Sequence, residues 1–106
     1  MDYECEASVF KALGEPTRLR ILDVLSCGEL CACKILEVLS ISQPTLSHHM
    51  KVLLECGLVS SRKDATWIYY TINQPKVDEI HQLIDTLTKP KLNCACNATM
   101  TEACVP

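Results

Sequence analysis

The chain has 106 residues, 48% apolar and 22% charged, with a net charge of −3. That is the size of one domain with enough apolar content for a core, which excludes wholesale disorder. The longest uncharged run, residues 38–50, is 13 residues with Ser, Gln, Pro and two His in it, too short and too polar for the roughly 20 residues of a membrane span.

Asp2, Glu4 and Glu6 stand where a secretory signal needs cationic residues, so the expected location is the cytoplasm and no membrane partner is expected. Eight cysteines in a reducing compartment read as core residues, metal ligands or redox groups rather than a disulfide scaffold. Charge is segregated along the chain. Six of the 13 acidic residues precede Glu37, whereas residues 46–63 hold Lys51, Arg62 and Lys63 against Glu55 alone.

Residues 6–13 read as a helix through Val9, Phe10 and Leu13, stopped by Gly14. Pro16 opens a second helix carrying Leu19, Ile21, Leu22, Val24 and Leu25, ending near Gly28. Residues 31–39 form a short third helix with Ile35, Leu36 and Leu39 apolar. Ser42 caps a fourth, with Pro44 in its first turn and Gly57 closing it after Cys56.

Residues 58–63 and 66–72 alternate like two strands joined at Asp64-Ala65. The last helix starts near Pro75. Its apolar positions Val77, Ile80, Ile84 and Leu87 step by 3, 4 and 3, a seam that expects a partner helix from a second copy. Lys89-Pro90-Lys91 breaks it. The expected organisation is residues 1–91 as the domain and 92–106 as a cysteine-containing tail. Cys27 and Cys56, beside helix-ending glycines, read as small core fillers.

The fold class is therefore mainly α with a β-hairpin wing, a homodimeric winged helix-turn-helix. On the fourth helix Leu46, Met50, Leu53 and Leu54 share one arc of about 100°, and Ser47, His48 and Lys51 share the opposite one. Such a helix enters the major groove of double-stranded DNA. Gln43 can bond an adenine edge twice, and Thr45, Ser47, His48 and Lys51 can reach bases or phosphates. Arg62 and Lys63, placed at the hairpin tip, suit phosphates or a minor groove. His49 falls on the other flank, where packing against a neighbouring helix is expected.

Ser42-Gln43-Pro44-Thr45-Leu46-Ser47-His48-His49-Met50-Lys51-Val52-Leu53, followed by Cys56-Gly57-Leu58-Val59, resembles the recognition segment of the ArsR/SmtB family of metal-responsive repressors. The run from Leu13-Gly14-Glu15-Pro16-Thr17-Arg18 to Leu22 is similar to the family's segment before its core helix. Glu29-Leu30-Cys31-Ala32-Cys33 is similar to its arsenic- and cadmium-sensing motif, and Arg62-Lys63 with Trp67-Ile68-Tyr69-Tyr70 to its wing. The resemblance covers about residues 9–87. It implies a homodimer, joined through the first and last helices, that leaves operator DNA when an inducer ion binds.

Thiolates select soft ions: As(III), Cd(II), Pb(II), Cu(I) or Zn(II). As(III) is the first expectation, with Sb(III), Cd(II) and Pb(II) as alternatives and no organic cofactor. Cys31 and Cys33 lead as ligands. Two residues apart in an ideal helix they point about 200° apart, so one ion needs the helix start bent or unwound, a distortion that could release DNA. Some family members place a third cysteine where Leu36 stands here. The resemblance offers Cys5, from either protomer, or Cys94, Cys96 and Cys104 instead, and these last three are enough for a second site. Family zinc and cobalt sensors use Asp, His and Glu on the last helix; His81 with Asp78 and Asp85 lacks a second histidine there. A thiol-redox switch and a metal-buffering protein without operator preference are the rival readings. No polar constellation points to an enzyme.

Overall fold

The computed structural model describes residues 3–90. Helices α1 (Tyr3–Leu13) and α2 (Pro16–Leu25) lead into a short strand β1 (Leu30–Cys31). Helices α3 (Ala32–Leu39) and α4 (Gln43–Glu55) follow, then strands β2 (Val59–Asp64) and β3 (Trp67–Ile72) and helix α5 (Gln74–Thr88). Among the described residues no helix is long and apolar enough to cross a membrane.

The helix boundaries follow their capping chemistry. Glu15 accepts from the Arg18 backbone N–H at 3.1 Å, and Pro16 occupies the first turn of α2. Ser42 Oγ accepts from the Thr45 N–H at 3.3 Å at the start of α4. At its end the Leu58 N–H reaches Leu53 O at 3.1 Å and the Gly57 N–H reaches Leu54 O at 3.1 Å, the paired bonds of a Schellman motif. Gly57 has φ +86°, the left-handed conformation this motif needs. Helix α5 ends at Lys89, whose backbone is extended before Pro90.

One core joins the elements. Val9 of α1, Ile21 and Leu25 of α2, and Ile35 of α3 pack with Leu46, Met50 and Leu53 of α4. Leu58, Val59, Tyr70, Ile80 and Leu83 complete it. Stripping water from a Leu, Ile or Met side chain is worth roughly 1.5–3 kcal/mol, so this cluster fixes how α4 is presented.

The sheet has three strands, not two, in the order β1-β3-β2, all antiparallel. β1 escaped the sequence reading because two residues cannot display a two-residue period. Asp64 pairs with Trp67, so the turn is Ala65-Thr66, one residue beyond the expected Asp64-Ala65. Ala65 takes the left-handed φ of +57° at this turn.

Three further expectations change. The seam on α5 divides: Ile80 is 5% exposed and Val77 packs on the core, but Ile84 and Leu87 are 44% and 48% exposed. Leu83, off the expected seam, is the other core residue of α5. Cys27 is exposed, not a core filler, because α2 stops at Leu25 and leaves it in the following turn. Cys56 does pack against the core, with its Sγ donating to Leu53 O at 3.4 Å.

Candidate nucleic-acid interface and cysteine pair

Helix α4 buries Leu46, Met50 and Leu53 and turns Gln43, Thr45, Ser47, His48 and Lys51 outward, all exposed. The outward groups are partly tied to each other. Ser42 Oγ donates to Thr45 Oγ1 at 2.8 Å, and Gln43 Nε2 donates to Ser47 Oγ at 3.4 Å. These are weak, solvent-facing bonds that another polar surface can replace.

The far flank of the helix is anchored. His49 is largely buried, with Nδ1 3.1 Å from Arg18 Nη1 and 3.7 Å from Glu15 Oε2. Arg18 also donates through Nε to Ala12 O at 2.6 Å. Because a guanidinium only donates, Nδ1 must accept, which leaves the imidazole proton on Nε2. Burial lowers the His49 pKa, reinforced by the Arg18 and His48 charges and opposed by Glu15. For Glu15, desolvation acts to raise its pKa. The backbone N–H groups of Arg18 and Thr17, with His49 and Arg18 nearby, outweigh it and leave the carboxyl below its ordinary range.

Cys31 is the last residue of β1 and the N-cap of α3, with extended backbone (φ −77°, ψ +157°). Cys33 lies in the first turn of that helix. The pair therefore straddles the strand-to-helix junction, with Cα atoms 5.4 Å apart, and the two sulfurs are joined as a disulfide. The expected 200° divergence does not arise, since Cys31 is outside the helix. Bringing both sulfurs to one point needs no unwinding of α3.

Cys33 also shares a groove with α4 and the wing. A cleft of about 230 Å³ is lined by Cys33 and Leu36 of α3, Gln43 of α4, and Thr66, Trp67 and Ile68 of the wing. Trp67 and Ile68 are 53% and 42% exposed, so the wing end presents apolar surface beside the start of α4.

Comparison with known proteins places this architecture. Residues 15–61, which span α2 to β2, match the family described as "Bacterial regulatory protein, arsR family". The chain is 44% identical to the arsenical resistance operon repressor of Staphylococcus xylosus over 98% of its own length and 100% of that protein. It is 42% identical to the Staphylococcus aureus protein of the same name, over the same shares. This chain belongs to the ArsR family. Among solved structures, an ArsR-like transcriptional regulator from Rhodococcus sp. RHA1 superposes with a TM-score of 0.74 at 29% identity, covering 80% of each chain.

As an ArsR-family chain it carries a winged helix, and the wing differs from expectation in detail. Lys63 pairs with Ile68 and is exposed on the hairpin. Arg62 is not at the tip. It pairs with Tyr69, three residues back from the turn, and its guanidinium lies 4.5 Å over the Tyr69 ring. Arg62 Nε and Nη2 donate to the two carboxylate oxygens of Glu29 at 2.8 and 2.7 Å. These bonds hold the Glu29 carboxyl below its usual range and raise the Arg62 pKa.

Two features were not legible in the sequence. Lys11 of α1 and Arg18 of α2 line a groove of about 510 Å³ with Ser8, His48, Val52 and Cys56. His48, read from its arc alone, thus shares a cleft between three helices with two cations and the Glu55 carboxylate. The second is the Glu29–Arg62 pair, whose partners are 33 residues apart and share no periodic signal.

Of the other residues named from sequence, Cys5 is exposed on α1. His81 of α5 is exposed, Asp78 accepts from Gln74 Nε2 at 3.0 Å, and Asp85 faces Lys89 at 3.7 Å. Cys94, Cys96 and Cys104 lie outside the described residues. Among the described residues of one chain, no three Cys, His, Asp or Glu side chains gather as a metal site.

Proposed function

We propose that this ArsR-family chain is a repressor that binds operator DNA as a homodimer and leaves it when As(III) binds cysteine thiolates. The observation that carries the reading is the groove shared by Cys33 and Gln43. An ion held at the Cys31–Cys33 junction would sit against the start of the recognition helix and the wing. The names of the two staphylococcal relatives favour arsenic over the alternatives Sb(III), Cd(II) and Pb(II).

Cys31 and Cys33 supply two thiolates. The third of a trigonal As(III) site comes from Cys5, in the same or the partner chain, or from Cys94, Cys96 and Cys104. In this reading residues 1–91 bind DNA and dimerise, and residues 92–106 serve the ion. Gln43, Thr45, Ser47, His48 and Lys51 face the major groove, and Lys63 and Arg62 face phosphates.

The dimer is supported by an apolar face on α1 and α5. Tyr3, Phe10, Ile84 and Leu87 are 63%, 39%, 44% and 48% exposed. Tyr3, Phe10 and Leu87 line a cleft of about 330 Å³ with Glu6, Ala7 and Leu83. Glu6 is only 8% exposed. Its Oε1 is 3.8 Å from Lys76 Nζ, while Oε2 has no hydrogen-bond partner among the described residues. A second copy would cover the apolar strip and could supply a donor.

The test is fluorescence anisotropy of a labelled duplex from the protein's own promoter, with reduced protein and then arsenite. Tight binding reversed by near-stoichiometric arsenite is expected. A Cys31→Ser, Cys33→Ser protein should bind the duplex and resist release. Normal release of that variant would overturn the ligand assignment, and no binding at low salt would overturn the repressor reading.

A second reading rests on the joined Cys31 and Cys33 sulfurs. Two thiols can close to a disulfide by losing two protons and two electrons to an oxidant such as a low-molecular-weight disulfide. DNA release by oxidised glutathione, reversed by dithiothreitol and indifferent to arsenite, is the outcome that selects it.

A further inference from the structure

Arg62 is the wing residue whose charge is most fully answered within the chain. Its Nε and Nη2 edge is bidentate to Glu29 at 2.8 and 2.7 Å, and its Nη1 lies 4.0 Å from Asp64 Oδ2. One face of the guanidinium covers the Tyr69 ring at 4.5 Å. The Glu29 carboxylate thus occupies one edge of the planar fork that arginine otherwise offers to a phosphate, with Asp64 near the other edge. Lys63, next along β2, is exposed and has Ile68 as its neighbour across the strand.

The clamp is also placed in a defined row of the sheet. Arg62 is in register with Tyr69, and Tyr69 with Cys31 on the opposite edge. Glu29 immediately precedes β1 and so reaches across β3 to the other outer strand. The carboxylate is therefore fixed by the same short strand that carries the first cysteine of the pair.

We propose that Glu29 is an internal stand-in for a DNA phosphate, a positioning residue that holds Arg62 off the operator. The inference rests on the DNA-binding reading above and adds a residue of the opposite charge to it. A carboxylate and a phosphate oxygen compete for the same two N–H donors, so Arg62 contacts DNA only in the fraction of molecules that open the pair. An exposed ion pair of this kind is weak enough to be opened, which makes Glu29 a tuner of affinity rather than a block.

The experiment measures duplex anisotropy across a salt series for the reduced full chain and for Glu29→Gln, Arg62→Gln and the double variant. Thermal unfolding of each protein verifies the fold. Glu29→Gln should bind about 2- to 5-fold tighter at moderate salt, the scale of a weak exposed pair. Its log–log salt slope should steepen by up to about 0.9, one extra phosphate contact. In the Arg62→Gln background the same change should add little.

Unchanged affinity and slope in Glu29→Gln would overturn the proposal. An equal gain with and without Arg62 would also overturn it, since that is only the removal of a negative charge near DNA. If the wild-type chain binds no operator at low salt, the DNA-binding reading falls and takes this inference with it. If wild type binds and Glu29→Gln matches it, only the inference falls.

Discussion

The Arg18 guanidinium donates to Nδ1 of His49 at 3.1 Å and so ties the recognition helix to α2. Arg18 is itself held by Ala12 O at 2.6 Å. Three helices thus meet at one cation, beside the groove that Arg18 shares with His48. The bond uses a neutral imidazole, and this makes the docking of α4 sensitive to pH.

The His49 pKa lies below its ordinary value of 6.5, with burial the leading cause. Between the lowered folded value and 6.5 the unfolded chain binds more protons than the folded one. Stability from neutral His49 is then complete above pH 6.5 and is lost as pH falls through the folded pKa. His49→Gln keeps an acceptor for Arg18 but cannot titrate. Urea unfolding at pH 7.5, 6 and 5 should show wild type losing more stability than His49→Gln over the acid step. Parallel losses in the two proteins would contradict the assignment.

Gly57→Ala tests the cap that ends α4. A Cβ there would meet Lys76 side-chain carbons at 3.7 Å, ordinary contact, so the space is available. The conformation is not, since φ is +86°. A left-handed non-glycine residue costs about 1–2 kcal/mol. For a domain near 100 residues that lowers Tm by roughly 4–16 °C. Gly14, without a positive φ, is the control position, and Gly14→Ala should cost less in the same calorimetric measurement.

Local chemistry explains why so much of this fold could be read from the chain. Ser42, Pro44 and Gly57 bracket α4, and the arc of Leu46, Met50 and Leu53 gives its buried face; each signal lies within a few residues. The turn of the wing was misplaced by one because Ala65 takes a left-handed φ without the glycine that would mark it. The seam on α5 split because a period of 3.5 identifies an apolar face but not what covers it. Leu83 went to the chain's own core, and Ile84 and Leu87 stayed outside. The cysteine junction, the Arg18–His49 bond and the Glu29–Arg62 pair depend on tertiary placement. No spacing in the sequence encodes the two longer contacts.

The exposed strip on α5 predicts how association responds to charge. Leu87 is 48% exposed in the protomer, so Leu87→Glu should leave the monomer folded. In a two-fold dimer the substitution occurs twice. Each leucine has only about half its surface left to bury, so losing both removes roughly 1.5–3 kcal/mol, about 10- to 150-fold in the dimer dissociation constant. Sedimentation equilibrium should show monomer at concentrations where wild type is dimeric. A dimer of unchanged strength would place the interface elsewhere.

Gln43 and Lys51 stand on one exposed face of α4 but should fail differently when removed. Gln43 is proposed to read a base edge, for which it must first give up its 3.4 Å bond to Ser47. A bidentate contact to the correct base is worth about 1–3 kcal/mol of discrimination. Gln43→Ala should therefore relax preference by roughly 5- to 150-fold at one base pair and leave the salt slope intact. Lys51→Ala and Lys63→Ala remove exposed point charges whose proposed role on DNA is to meet phosphates. Each should weaken binding to all duplexes alike and reduce the salt slope by about 0.9. Anisotropy with a set of single-base operator variants at three salt concentrations separates the two behaviours. A uniform loss for Gln43→Ala would reassign it from base reading to backbone positioning, because only a contact to a base edge depends on which base is there.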